Sequence, residues 1–74
     1  MNTKYIIFIK SCGEVTYLQV ENKLHRTVQY PSYATLFTLK QAQKLTRSLN
    51  KEASKYTYYG ACIGNFYGYE EARG

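Results

Sequence analysis

The sequence contains no aspartate, one histidine, one proline and two cysteines among its 74 residues. Each shortage closes off a class of protein. Cys12 and Cys62 are too few for a disulfide scaffold, and with His25 the only histidine their spacing fits no zinc motif. Both read as free thiols of a reducing compartment, with a Cys12–Cys62 bridge left open by the spacing. General acid–base chemistry needs a histidine or paired carboxylates. Only His25 and five glutamates are available, and Glu70 and Glu71 stand together near the end of the chain. A Cys12–His25 nucleophile and base would lie in different segments with nothing to mark a site. The expectation is a binding protein with no enzymatic activity, no metal and no cofactor. Long hydrophobic runs are missing too. The apolar stretch Tyr5-Ile6-Ile7-Phe8-Ile9 is shorter than a signal-peptide core and far shorter than a membrane span. A cytoplasmic protein without a membrane partner is therefore expected.

What remains is rich in tyrosine and in positive charge. Leu, Ile, Val and Phe together number 16, near the lower edge for a folded core. Nine tyrosines make up the difference, since each buries a ring and keeps a polar tip. The length gives room for a single domain whose small core leaves little stability to spare. Ten Lys and Arg against five Glu give a net charge of +5, which favours acidic partners: nucleic acid, an acidic protein face or an anionic membrane.

Residues 4–10, KYIIFIK, are β-branched and aromatic and predict a strand. Ser11-Cys12-Gly13-Glu14 predicts a turn with Gly13 at positive φ, leading to a second strand over 15–21 and a hairpin. Asn22-Lys23 suggests another turn and LHRTVQY (24–30) a third strand, which Pro31 would end for want of a ladder donor. Thr38 and Gln41 form a capping box, and Phe37 before them can serve as a hydrophobic staple. Leu39, Ala42, Leu45, Leu49 and Ala53 then form one apolar stripe at helical spacing, which predicts a helix over about 39–55. YTYYGACIG (56–64) predicts the last strand, with Tyr59, Ala61 and Ile63 on one face. Gly60, Gly64 and Gly68 recur every four residues, a spacing that suits bulges and turns rather than phosphate binding. The terminal EEARG (about 69–74) is expected to fray. The resulting fold class is α+β: a three- or four-stranded, mostly antiparallel sheet with one amphipathic helix on one face, in the order ββ(β)αβ.

Two surfaces of this fold are suited to contact. On the helix, Lys40, Lys44, Arg47, Lys51 and Lys55 fall at spacings of 4, 3, 4 and 4, within roughly 80° of arc opposite the apolar stripe. Their acidic neighbours are missing: Glu52, the one acid on the helix, lies off the row. A bare solvated face is the plain alternative to a partner-binding one. On the sheet, alternation puts Tyr5, Ile7, Ile9, Leu18 and Val20 toward the helix. Ile6, Phe8, Val15, Tyr17 and Tyr58, with Phe66, are left on the face that one helix cannot cover. Either the C-terminal segment or residues 31–37 fold over this group, or it binds a foreign protein or a second copy in a homodimer.

This layout resembles small bacteriophage and prophage proteins: the strand pair YIIFIK and YLQVE, the approach Ala34-Thr35-Leu36-Phe37-Thr38 into the helix LKQAQKLTRSLN, and the closing strand YTYYGACI. The similarity runs over about residues 4–63. Such proteins include anti-CRISPR and other host-takeover factors that act by occluding a host protein. The resemblance implies a small phage-type inhibitor or modulator in the host cytoplasm and supplies no functional residues. Many such inhibitors are acidic and imitate nucleic acid, whereas this chain is basic, so its target would present an acidic or nucleic-acid-adjacent surface. Direct nucleic-acid binding through the helix row, and self-assembly as a structural subunit, are the alternative readings.

Overall fold

The strands follow from two tight turns. In the computed structural model, which describes residues 3–64, β1 (Tyr5–Ser11) and β2 (Glu14–Glu21) are joined by Cys12-Gly13, and β2 and β3 (Leu24–Val28) by Asn22-Lys23. All four turn residues have positive φ, at 51°, 83°, 52° and 66° in chain order. Positive φ at both central positions is what a type I′ hairpin requires, because only that backbone twist matches the strands it joins. A helix α1 (Leu39–Glu52) and a last strand β4 (Thr57–Ile63) complete the order, and β4 returns to pair with β1. The sheet is antiparallel throughout, in the order β3-β2-β1-β4. The fold is α+β, with four strands and a single helix packed on the sheet. Readings that fall on Phe66, Gly68, Glu70 and Glu71, and the expectation that 69–74 frays, lie outside the described residues.

The helix starts where the sequence predicts. The Gln41 amide N–H donates to Thr38 Oγ1 at 3.2 Å and the Thr38 N–H donates to Gln41 Oε1 at 3.0 Å, closing the capping box. It stops three residues earlier than the periodicity predicts: Ala53 is already extended, with ψ 155°. Two contacts outside the helix account for this. Asn50 Nδ2 donates to the Tyr59 carbonyl and the Tyr59 N–H donates to Asn50 Oδ1, both at 2.8 Å, so one side-chain amide clasps the backbone of β4 on both sides. The Thr57 N–H donates to the Ser54 carbonyl at 3.1 Å, reversing the chain within the few residues that the clasp leaves.

Residues 34–37 are more than a connection. The β1–β2 ladder runs from Phe8↔Tyr17 to Ser11↔Glu14. Toward the other end of the sheet, Thr35 to Phe37 bonds to both strands. Tyr5 and Phe37 exchange two backbone hydrogen bonds of 2.7 Å, and the Thr35 N–H donates to the Leu18 carbonyl at 3.1 Å. The Thr35 hydroxyl accepts from the Val20 N–H at 2.7 Å. This strap satisfies backbone groups that would otherwise need water. It also delivers Phe37 to the core directly ahead of the helix cap.

That core lies between α1 and the sheet. Ile7, Ile9, Leu18 and Ala42 are buried at its centre, with Tyr5, Val20, Phe37, Leu45, Leu49 and Tyr59 around them. Each fully buried Ile or Leu contributes about 1.5–3 kcal/mol. Strand β3 adds little: of its five residues only Val28 is partly shielded.

Candidate binding surfaces

The cationic row is built by α1. Lys40, Lys44, Arg47 and Lys51 are all exposed, and among the described residues none of them takes part in an ion pair. The row spans twelve residues, about 16 Å of helix. No acidic residue occupies the first helical turn, so the positive end of the helix dipole adds to Lys40 instead of being cancelled. Lys55 does not extend the row. It lies past the end of the helix, with its Nζ 5.2 Å from the centre of the Tyr56 ring, because the chain has already turned toward β4.

A groove of about 590 Å³ runs along one flank of this row. Leu36 and Phe37 of the strap form one wall, and Gln41, Lys44, Leu45 and Ser48 of α1 form the other. Its walls are mainly apolar, and Leu36 remains 49% exposed. Lys44 and Gln41 also border a smaller depression with Lys40, Gln43 and Arg47, so apolar surface and cationic rim are continuous. Sequence reasoning missed this groove. The available signal was Leu36, an apolar residue outside the helical stripe and next to the staple Phe37, with no role of its own in the predicted elements.

On the far face of the sheet, the register brings the predicted residues together. Phe8 pairs with Tyr17, and Lys10 pairs with Val15 on one side and Tyr58 on the other. The five do not make one open patch. Ile6 is 1% exposed, which corrects its expected place on a contact surface. Leu36 of the strap lies beside it, and Leu36 Cδ2 and Ile6 Cγ2 both stand within 3 Å of where a Cβ on Gly64 would be. Phe8 is half-buried. Its ring lies over Gly60, where a Cβ would collide with it, and it meets Tyr58 with ring centres 6.0 Å apart. The open part of this face is Val15 and Tyr58, 47% and 57% exposed, with Lys10 between them.

The remaining chemistry-bearing side chains are dispersed. Cys12 sits in the first turn, whereas His25 on β3 pairs with Val20 toward the opposite end of β2, about 20 Å away by strand rise. Cys62 pairs with Ile6, five residues along β4 from the end that neighbours Cys12. Both thiols are free, and burial pushes the Cys62 thiol above its ordinary value. Among the described residues no group of three or more His, Cys, Asp or Glu is placed to hold a metal ion. None of the described helices is long and apolar enough to cross a membrane. Comparison with protein-family models, with curated proteins and with solved structures returns no match.

Proposed function

We propose that this is a non-enzymatic binding protein that occludes an acidic or nucleic-acid-adjacent surface of another protein, in the manner of a phage-type inhibitor or modulator of a host factor. The observation that carries this reading is the junction of the Leu36–Phe37–Leu45 groove with the cationic face of α1. Protein interfaces combine a desolvated apolar centre, where anchoring side chains sit, with a polar rim. Lys40, Lys44 and Arg47 would steer an acidic partner and fix its orientation, and the groove would hold its anchor. A second reading, nucleic-acid binding, draws on the unpaired row alone, since cations spaced along a helix face suit phosphates. The groove favours the first, because a phosphate backbone has no use for an apolar wall.

The test is capture from a bacterial lysate on the tagged protein, with and without nuclease, using wild type and the Lys44→Glu/Arg47→Glu variant. A discrete protein retained by wild type after nuclease and lost in the variant is the expected result. If all captured material disappears with nuclease, the nucleic-acid reading replaces the first. The double substitution is expected to change stability by no more than about 0.5 kcal/mol, as exposed positions do, so its effect reads out binding.

A further inference from the structure

Strand β3 contributes almost nothing to the core, yet a tight turn holds it in the sheet with its outer side open. Which of its backbone groups face outward follows from the register. Glu21↔Leu24 closes the Asn22-Lys23 turn and exchanges both ladder bonds, so Val20↔His25 and Leu18↔Thr27 are pairs that exchange none. The strap agrees with this. The Val20 N–H donates to the Thr35 hydroxyl and the Leu18 carbonyl accepts from the Thr35 N–H, both on the side of β2 away from β3. His25 and Thr27 therefore turn their N–H and carbonyl groups away from the sheet, and among the described residues none of these groups has a partner. The opposite edge is guarded where β4 begins. Asn50 holds both backbone groups of Tyr59, and the Thr57 N–H donates to the Ser54 carbonyl.

We propose that the β3 edge accepts an extended acidic segment of another protein as an added strand, with a carboxylate beside Arg26 and apolar side chains beside Leu24 and Val28. An added strand satisfies the outward groups of His25 and Thr27, and its alternate side chains supply the selectivity. Leu24, Arg26 and Val28 share the far face of the sheet. Leu24 is 63% exposed, and among the described residues Arg26 makes no ion pair. Lys23 and Arg26 make the edge basic, and Glu21, the acid that the register brings nearest, stands on the inner strand. Charge also argues against a second copy. The two-fold register that uses both outward residues pairs His25 of each copy with Thr27 of the other. It sets one Arg26 against the other, and like charges directly opposite are destabilising. No residue of α1 takes part, so the proposal stands or falls separately from the groove reading.

The probe is an end-capped peptide, Thr-Val-Thr-Glu-Thr-Val-Thr, titrated to millimolar concentration into the isotope-labelled full chain. The same peptide with Lys in place of Glu is its counterpart. The expected result is that the largest amide shifts fall within Leu24–Val28 and that exchange of the His25 and Thr27 amides slows. The Glu peptide should bind several-fold more tightly than the Lys peptide, and Arg26→Glu, an exposed change that leaves the fold intact, should reverse that order. N-methylation of the peptide's residues on either side of Glu, which removes their donors, should abolish binding. The Lys44→Glu/Arg47→Glu variant should bind the Glu peptide within about twofold of wild type, because screening limits the reach of distant charges. No shift in β3, equal affinity for the two peptides, or an unchanged order in Arg26→Glu would overturn the proposal. So would shifts centred on Ala61 and Ile63, which place the strand on β4, or on Leu36 and Leu45, which place it in the groove. Slowed exchange at His25 and Thr27 that grows with protein concentration and needs no peptide would overturn it in favour of a second copy.

Discussion

Ile6 and Ile7 are neighbours in β1, point to opposite faces of the sheet, and are 1% and 0% exposed. They reach the same burial by different means. Ile7 is covered by a helix that brings Ala42, Leu45 and Leu49 over β1 and β4. Ile6 is closed in at one end of the other face, where Leu36 of the strap lies beside it. Further along, Phe8 settles over Gly60, and beyond that Lys10, Val15 and Tyr58 stay open. A single helix can cover one face only, so the chain seals part of the second with a segment that also pairs with the sheet edge-on. The second face is consequently a graded surface, closed at the strap and open at the Cys12-Gly13 turn.

The comparison can be broken most directly at the two isoleucines. Ile7→Ala is expected to cost about 3–5 kcal/mol, by lost transfer energy and a cavity beneath a helix that cannot collapse into it. In a domain this small that approaches the whole stability. Ile6→Ala is expected to cost about 2–4 kcal/mol, the lower value reflecting Leu36, which is half-exposed and so less confined around the space that Ile6 would leave. Urea unfolding followed by circular dichroism measures both. If Ile6→Ala costs under about 1 kcal/mol, the far face is no second core.

Gly60→Ala comes next, at about 1–3 kcal/mol, because the added methyl meets the Phe8 ring and overpacking shifts side chains off their preferred rotamers. Adding Phe8→Leu should recover part of the loss. No recovery would mean that the ring does not rest on Gly60. The two ends of α1 offer a finer contrast. Asn50→Ala leaves the Tyr59 N–H and carbonyl without their clasp and should cost about 1–3 kcal/mol, whereas Thr38→Ala removes one cap and should cost about 1 kcal/mol. A reversed order would show that the helix is set by its cap and not by its tie to β4.

The smallest effect concerns the thiols. Cys12 lies exposed in a turn and Cys62 is half-buried beside Ile6, with its pKa raised by burial. A raised thiol pKa leaves less thiolate at neutral pH, and the thiolate is the reactive form. Iodoacetamide should modify Cys12 several-fold faster, and Cys62 should still be accelerating as pH climbs above the ordinary thiol range. Equal rates would place Cys62 in the open.

Much of this architecture is legible from residue order because it is local. Alternation assigns Ile7 and Ile9 to one face and Phe8 to the other. The paired residues Cys12-Gly13 and Asn22-Lys23 mark both hairpins, and Thr38 with Gln41 marks the helix start. What escapes depends on partners far apart in sequence. The helix end is decided by Asn50 finding Tyr59, the strap by Thr35 meeting Leu18 and Val20, and the sealing of Ile6 by Leu36. No periodicity records such meetings. The cationic row was visible by spacing, but the groove beside it exists only because the strap folds alongside α1.

The hydrogen bond from Gly64 to Lys4 has a practical consequence for studying this protein. The chain enters the described domain at Lys4 and leaves it at Gly64, so both connections lie at one corner, beside Leu36. The opposite end of β1 is about 23 Å away by strand rise and carries an accessible thiol at Cys12. Coupling a bead, a fluorophore or a sensor surface through that thiol would present the groove and the cationic helix freely to whatever binds them.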